Sequence, residues 1–199
     1  LYLIEERLDE SFPDLESFGR PENIMSTEKV LRELKSDEEF TIELAQYIKT
    51  RLFDIWLGDW DRHHDQYRWR ETEHDDGTIT FAPIPRDRDQ AFARFDGFFI
   101  SLATRLVPQL RKMQSFSDNV RSLKDFSPEM YKVDKIVMRK STKEQWLAQA
   151  RFLQDKLTDE AIEQAARNFP DKLKDDNFTS IIQTLKTRRK HFSSWAEQY

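Results

Sequence analysis

The sequence contains no cysteine and only four glycines and seven prolines among its 199 residues. Without thiols the chain has no disulfides, no zinc-thiolate site and no cysteine nucleophile. The scarcity of glycine and proline leaves few breaks in regular structure and favours long helical segments. No apolar run reaches the roughly 20 residues that cross a bilayer, which predicts no transmembrane segment in this chain. Because the chain starts at Leu1 without an initiator Met, we interpret it as a piece of a longer protein.

Acidic residues outnumber basic ones by 37 to 32, so the net charge is −5. This balance offers no electrostatic basis for nucleic-acid binding. A basic stretch over Lys186–Lys190 lies within a predicted helix and is interpreted as a solvated face. The 15 Phe and 5 Trp residues supply bulky core material. Together these features predict a globular α+β fold that is mostly helical.

The first part of the chain predicts a short strand over residues 1–8 and a short helix from Ser26 to about Leu34. Asp37 then opens a stronger helix, which ends near Gly58 as a C-cap. Its apolar positions recur at steps of three and four residues, as expected for a buried helix face. These positions are Phe40, Leu44, Ile48, Leu52, Ile55 and Trp56.

A β-hairpin follows this helix. Residues 66–70 alternate like a strand, Asp75-Asp76-Gly77 is typical of a hairpin turn, and residues 78–84 form the returning strand. The remainder is predicted to be helical. A capping box at Ser141–Glu144 starts one helix, Thr158 or Asp159 starts another that stops before Pro170, and a last helix runs from Phe178 to about Trp195.

Aspartates are concentrated at the two ends of the predicted hairpin. Residues 58–66 precede the first strand and residues 83–92 include and follow the second. The strands are antiparallel, so we expect five aspartates to share one small volume: Asp59, Asp61, Asp65, Asp87 and Asp89. Such carboxylates repel one another unless a hard divalent cation such as magnesium, or arginines at 62, 86 and 88, compensates them. This combination is typical of a phosphoryl-transfer site.

Asp61 and Gln66 have the spacing of the kinase catalytic loop, in which an Asp and an amide residue are separated by four positions. Asp87 and Phe92 repeat the spacing of the metal-binding acid and its following aromatic residue. The run over residues 85–92 resembles the corresponding run of CotH proteins most closely. We therefore identify a resemblance to atypical kinases, including CotH, HipA, a group of secreted kinases and the type II phosphatidylinositol 4-kinases. The motifs cover roughly residues 1–97.

The resemblance implies roles for the loop residues. Asp61 would be the catalytic base, and His63 would hydrogen-bond within the catalytic loop. Gln66 would be a ligand on the metal or phosphate side, Asp87 the metal-binding acid and Asp89 a second metal-side ligand. The implied cofactors are ATP and magnesium (or manganese), and the acceptor is an unknown hydroxyl group.

The resemblance also implies a domain organisation. Leu3 and Glu5 would lie on a hinge strand over residues 1–8 that edges the adenine site. Residues 37–97 would carry the catalytic helix, the loops and the hairpin, and residues 98–199 would form a helical subdomain of one kinase-like C-lobe. A Gly-rich loop and the nucleotide-binding Lys strand are absent from this sequence, so we expect the N-lobe in other parts of the parent protein. The resemblance alone suggests that the parent protein is located in a bacterial cell envelope.

Three functional hypotheses remain open. The first two are an active phosphotransferase within the parent protein and a catalytically dead pseudokinase scaffold. A metal-dependent phosphohydrolase is a third hypothesis, because His63, His64 and Asp65 include a His-Asp doublet. The sequence departs from the kinase pattern at Gln66, where Asn is usual, and at Ala93, where Gly is usual.

Overall fold

The computed structural model describes residues 23–36, 38–95 and 97–199. The strands and α-helices in these ranges are β1 (Asn23–Ser26), α1 (Thr27–Ser36), β2 (Phe40–Ile42), α2 (Leu44–Leu57), β3 (Tyr67–Glu73), β4 (Ile79–Pro85), α3 (Phe98–Leu106), α4 (Tyr131–Lys140), α5 (Lys143–Lys156), α6 (Asp159–Arg167), α7 (Asp176–Arg189) and α8 (Phe192–Gln198). Short 3₁₀ helices occupy His64–Gln66, Pro108–Leu110, Pro128–Met130 and Asp171–Leu173. The prediction of a mostly helical α+β fold is confirmed. Among the helices described, none has both the length and the apolar character to cross a bilayer. The strand predicted over residues 1–8 lies outside the described residues.

The described residues cluster into two compact units. Residues 23–36, 38–47 and 64–87 belong to the first unit, and residues 48–63, 88–95 and 97–199 belong to the second. The interpretation of the whole chain as one kinase-like lobe stays a prediction.

The first unit is built around a four-stranded sheet with the order β1-β3-β4-β2. β3 pairs antiparallel with both β1 and β4, whereas β2 pairs parallel with β4. Along β3, Tyr67 and Trp69 are fully buried and the intervening Arg68 is not, as the two-residue period of a strand requires. The Trp69 indole stacks on Tyr47 with 6.0 Å between ring centroids, and its Nε1 donates to Thr27 Oγ1 at 2.9 Å. These contacts fix α1 and β3 in one core.

The predicted hairpin is confirmed. Tyr67 pairs with Pro85 at one end of the β3–β4 ladder, and Glu73 pairs with Ile79 at the other. At the turn, Gly77 has a φ of +83°, which an L side chain rarely adopts. The Asp76 carboxylate accepts hydrogen bonds from the backbone N–H and hydroxyl of Thr78. The turn residues therefore act as the composition of residues 75–77 predicts.

The predicted start of the catalytic helix at Asp37 is wrong, and Asp37 itself lies outside the described residues. Phe40 is in strand β2, where it pairs with Ile79, and α2 begins only at Leu44. The Glu43 N–H donates to Phe81 O at 2.9 Å, which continues the sheet bonding to the helix start. Three residues that fit a helical period thus pair with β4 instead, because tertiary pairing overrides a weak local preference.

The apolar face predicted for this helix is confirmed within the second unit. Ile48, Leu52 and Ile55 are fully inaccessible to solvent, and Trp56 is buried. The helix ends at Gly58, whose φ of +71° suits a glycine C-cap. A Cβ at Gly58 would lie 2.7 Å from Cδ2 of Phe116, so the position also requires a residue without a side chain.

Two helix ends differ from the predictions. The helix from Ser26 extends to Ser36 rather than Leu34, with Ser26 Oγ accepting from Lys29 N at 3.3 Å. The capping box of α5 is formed by Thr142 and Gln145, one position later than predicted. The reason is that the Ser141 hydroxyl instead accepts a hydrogen bond from the Trp146 indole.

The prediction of one last helix from Phe178 to Trp195 is wrong, since the chain forms α7 and α8. At the break, Lys190 N donates to Thr187 O and His191 N donates to Arg188 O. These 3₁₀-type hydrogen bonds, between residues three positions apart, interrupt the i→i−4 hydrogen bonds of the α-helix. Neither glycine nor proline marks this point, so the local sequence gave no signal of the break.

The basic stretch over Lys186–Lys190 is not a uniformly solvated face, and that prediction is wrong for Arg188. Arg188 is only 1 % exposed. Its guanidinium donates to the carbonyl oxygens of Trp56 and Ser117 at 2.9 and 2.7 Å, and also to Ile55 O. Burial lowers the pKa of Arg188 to about 9, which still leaves it protonated at neutral pH.

Candidate functional site

The two ends of the hairpin meet at Gln66 and Arg86. The Arg86 N–H donates to Gln66 O at 2.8 Å, one step beyond the last Tyr67–Pro85 pair of the ladder. Asp87 is therefore the first residue after the paired segment. The strand register predicted from the alternating sequence thus places Gln66, the amide residue of the first motif, next to Arg86, which directly precedes Asp87 of the second motif.

Asp87 has an exposed side chain and a φ of +47°. Aspartate tolerates this left-handed conformation better than most residues, although it remains an uncommon one. Two residues further on, Asp89 is also exposed and its carboxylate accepts from Gln90 Nε2 at 3.1 Å. Both carboxylates are therefore accessible to a dissolved cation. Hard carboxylate oxygens at the surface are a donor set that fits magnesium.

Gln66 differs from these acids because its side chain is buried, with 7 % exposure. The assignment of Gln66 as a metal- or phosphate-side ligand stays a prediction. Leu3 and Glu5, which the resemblance assigns to the adenine site, lie outside the described residues.

Buried ion pairs hold the loop that follows α2. Asp54, on α2, is fully buried and lies within 3.6 Å of Arg51, 3.5 Å of Arg62 and 2.6 Å of Arg88. Asp59 forms a close ion pair with Arg62 and lies 3.7 Å from Arg88. The Asp54 carboxylate thus supports Arg62 rather than facing solvent.

The same buried cluster extends to α4. Arg51 donates two hydrogen bonds to the Asp134 carboxylate, at 2.9 and 3.1 Å. The cluster then contains three guanidinium groups (Arg51, Arg62, Arg88) and three carboxylates (Asp54, Asp59, Asp134), so its formal charges cancel. Charges removed from water require this kind of pairing. Arginines rather than a metal therefore compensate Asp59, which the sequence grouped with the metal-side aspartates.

Asp59 is a buried acid with a shifted pKa. Burial raises its pKa from 3.8 to about 6, against the lowering effect of the Arg62 guanidinium. One carboxylate oxygen of Asp59, Oδ1, is buried without a hydrogen-bond partner among the described residues. The incomplete hydrogen bonding and the burial both penalise the ionised form.

Asp61 occupies a different environment two residues later. Its side chain is about one-third exposed, and its carboxylate accepts from Lys112 Nζ at 3.1 Å. Lys112 also donates to Glu129 at 2.6 Å and lies over the Trp60 ring at 5.4 Å from the centroid. Burial acts to lower the pKa of Lys112, but the hydrogen bonds to Glu129 and Asp61 outweigh it and raise the pKa. Asp61 is thus an accessible carboxylate with a charged ammonium group beside it.

The histidines give limited support to the phosphohydrolase hypothesis. His64 is 46 % exposed and its Nε2 lies 3.5 Å from Asp65 and 3.9 Å from Glu28. His74 contacts Thr80 on the hairpin, and His191 packs against Trp195. These two histidines therefore have other contacts, in different units of the chain, and do not supply a second pair of ligands.

Sequence reasoning missed Lys112, Asp134 and Arg188. Each makes its decisive contact with a residue more than 50 positions away. No local spacing could have indicated these partners. The only available signal was that a predicted site rich in aspartate needs cations, and several lysines and arginines were equally good candidates.

Comparison of the chain with protein-family models, with curated proteins and with solved structures finds no match. The kinase-like interpretation therefore rests on the spacing of the two motifs and on the local geometry described above.

Proposed function

We propose that this chain is the catalytic C-lobe of an atypical kinase-like phosphotransferase. The reaction would transfer the γ-phosphoryl group of ATP to a hydroxyl acceptor. The observation that carries the proposal is the hydrogen bond between Arg86 and Gln66, which joins the two motif segments at one end of the hairpin. That bond leaves Asp87 exposed at the first unpaired position.

Each acid has a distinct role in this proposal. Asp61 would orient the acceptor hydroxyl and accept its proton as the oxygen attacks phosphorus. Lys112, 3.1 Å from Asp61, would stabilise negative charge on the transferred group. Asp87, with Asp89, would hold magnesium, and the bound ion would neutralise phosphate charge. His63 would support the loop, and Gln66 would contribute by fixing Asp87 through the backbone rather than as a direct ligand.

The buried cluster supports these roles by holding the loops in place. Arg88 is anchored to Asp54 at 2.6 Å, and it separates Asp87 from Asp89 in the chain. Arg62, the residue after Asp61, is anchored to Asp54 and Asp59. Asp61 and Asp87 are thus each followed in the chain by an arginine that is held in a buried ion pair. A phosphoryl-transfer site depends mainly on such positioning.

The test uses the complete natural protein with magnesium and ATP, and it measures both nucleotide binding and turnover. Asp61→Asn is expected to keep magnesium-dependent thermal stabilisation by ATP and to lose turnover by at least about 100-fold. Asp87→Asn is expected to lose both. Asp75→Asn, in the hairpin turn, is the matched control and should behave like the wild type. Unchanged turnover in both Asp61→Asn and Asp87→Asn would refute the proposal.

A second candidate is a pseudokinase scaffold, and the ion pair of Asp61 with Lys112 favours it. The Lys112 ammonium group occupies a carboxylate oxygen of Asp61 that the acceptor hydroxyl would otherwise bond. A pseudokinase would show no turnover in the wild type under any condition that supports nucleotide binding. Lys112→Met would then change thermal stability and leave phosphate transfer at the background level.

A further inference from the structure

Helix α3 is oriented with its polar side towards the protein. Its buried residue is Thr104, whereas its large apolar residues are exposed. Exposure is 76 % at Phe98, 82 % at Phe99 and 66 % at Leu106. A surface helix of a soluble domain normally shows the opposite arrangement. The exposed apolar face, which also includes Leu102, therefore marks a candidate interaction surface.

Hydrogen bonds on the polar side hold α3 in this orientation. The Arg121 guanidinium donates to the Thr104 carbonyl at 3.1 Å and reaches the Thr104 hydroxyl at 3.4 Å. It also donates to the carbonyl of Arg111 at 3.0 Å, beyond the C-terminal end of the helix. The outward direction of the apolar face is thus fixed by specific contacts to this arginine.

The segment that carries this face is basic between Asp96 and Asp118. Residues 97–117 contain Arg105, Arg111 and Lys112 but no Asp or Glu, although the chain as a whole has 37 acidic residues. Lys112 is neutralised by Asp61 and Glu129. Within the described part of the chain, by contrast, no carboxylate forms an ion pair with Arg105, Arg111 or Arg121. An apolar face bordered by arginines complements a surface that is apolar inside and anionic outside.

A small cavity lies on the polar side of the same helix. It has a volume of about 210 Å³ and is lined by arginine, hydroxyl and amide groups. Those used here are Ser101, Thr104, Arg105, Gln114, Ser115 and Arg121. Guanidinium and hydroxyl donors around one cavity are the chemistry that recognises a phosphate group. The cavity therefore offers donors for a phosphate group on the side of α3 opposite the apolar face.

We propose that α3 and the adjoining 3₁₀ helix (Pro108–Leu110) dock on an anionic phospholipid membrane surface. Phe98, Phe99 and Leu106 enter the interfacial region, while Arg105 and Arg111 contact headgroup phosphates. The high exposure of both phenylalanines indicates a protruding edge rather than a groove. A protruding edge suits insertion among lipids better than the packing of a partner helix. This inference is independent of the proposed phosphoryl transfer.

The test is sedimentation of the full chain with vesicles. Vesicles of phosphatidylcholine mixed with phosphatidylglycerol are expected to bind at least about tenfold more tightly than pure phosphatidylcholine, and added salt should weaken this binding. The double variant Phe98→Ser/Phe99→Ser is expected to weaken binding by at least about tenfold. Arg105→Gln/Arg111→Gln should remove most of the preference for anionic lipid.

Phe169→Ser is the matched control, because Phe169 is 50 % exposed at a distant position in the sequence. It should bind vesicles like the wild type. All variants should keep the wild-type melting temperature, since the changed side chains are exposed. The binding of soluble inorganic phosphate should be weaker in Arg105→Gln/Arg111→Gln than in the wild type. Equal phosphate affinity in the two proteins would argue against recognition of headgroup phosphate by these arginines.

Three results would overturn the proposal. One is the absence of vesicle binding by the wild type, and another is equal binding by the wild type and Phe98→Ser/Phe99→Ser. The third is a concentration-dependent dimer, measured by light scattering, that the same double variant abolishes. That result would identify a second copy of the chain as the partner of the apolar face.

Discussion

The guanidinium of Arg188 donates a hydrogen bond at 2.9 Å to the backbone carbonyl of Trp56, in the last turn of α2. The carbonyls at a helix end lack partners within the helix and carry partial negative charge. A buried cation that satisfies them fixes the end of α2 immediately before Gly58. The loop containing Asp59 and Asp61 starts at this point, so Arg188 contributes to the position of the candidate site.

Replacement of this guanidinium should destabilise the protein. Arg188→Met is expected to lower the free energy of unfolding by about 2–4 kcal/mol, because it leaves buried carbonyl groups without donors. Urea titration followed by tryptophan fluorescence measures the change. Lys190→Met removes an exposed cation two residues away and should change the stability by less than about 0.5 kcal/mol. Equal stability of the two variants would show that the buried hydrogen bonds of Arg188 are not important.

Gly58 and Gly77 form a matched pair for a second prediction. Both have positive φ, but an added Cβ contacts Phe116 at Gly58 and meets nothing within 4 Å at Gly77. Gly77→Ala should therefore cost about 1 kcal/mol from backbone strain alone. Gly58→Ala should cost about 3 kcal/mol, since overpacking against a buried ring adds to that strain. Urea titration of both variants measures the difference, and similar losses would contradict the close approach of Phe116.

The hydroxyl of Thr27 connects two parts of the first unit. It donates to His64 O at 2.6 Å and accepts from Trp69 Nε1 at 2.9 Å. Thr27→Val preserves the shape but leaves both partners unsatisfied, so we expect a loss of about 1–3 kcal/mol. Hydrogen exchange of the Trp69 indole, followed by NMR, should be faster in the variant. Thr72→Val, on the partly exposed part of β3, should change stability by less than about 0.5 kcal/mol.

The raised pKa of Asp59 predicts a pH dependence of stability. Its folded-state pKa of about 6 exceeds the ordinary value of 3.8, so the folded state binds the proton more tightly than the unfolded state. The stabilising contribution of the protonated group is complete below pH 3.8 and is lost as the pH rises through about 6. Asp59→Asn removes this dependence.

The destabilisation caused by Asp59→Asn should therefore be larger at pH 4 than at pH 7, by up to about 3 kcal/mol. Urea titrations at several pH values between 4 and 7 measure this difference. Direct NMR titration of the Asp59 carboxyl carbon checks the pKa itself. Asp75→Asn, at the exposed hairpin turn, is the matched control for these titrations. A pKa of Asp59 below 4 would contradict the dominance of burial over the attraction of Arg62.

Local sequence determined the hairpin and much of the helical structure. Alternation from Tyr67, the turn at Asp75–Gly77 and the returning strand are all confirmed, because side-chain period and turn chemistry act between near neighbours. The buried face of α2 and its end at Gly58 were predicted for the same reason. The pairing of Gln66 with Arg86 follows directly from that register.

Only the tertiary structure decided which charges are buried. It assigned Phe40 to a strand, Asp59 to an arginine cluster, Lys112 to Asp61 and Arg188 to the end of α2. Phe40, Lys112 and Arg188 pair with partners far away in the chain, whereas Asp59 pairs with both nearby Arg62 and distant Arg88. Several residues of the same type could have fulfilled each role. A local pattern records the preferences of a segment, whereas desolvation and pairing energies arise only when distant segments pack together. The outward apolar face of α3 belongs to this second class, because its orientation depends on Arg121.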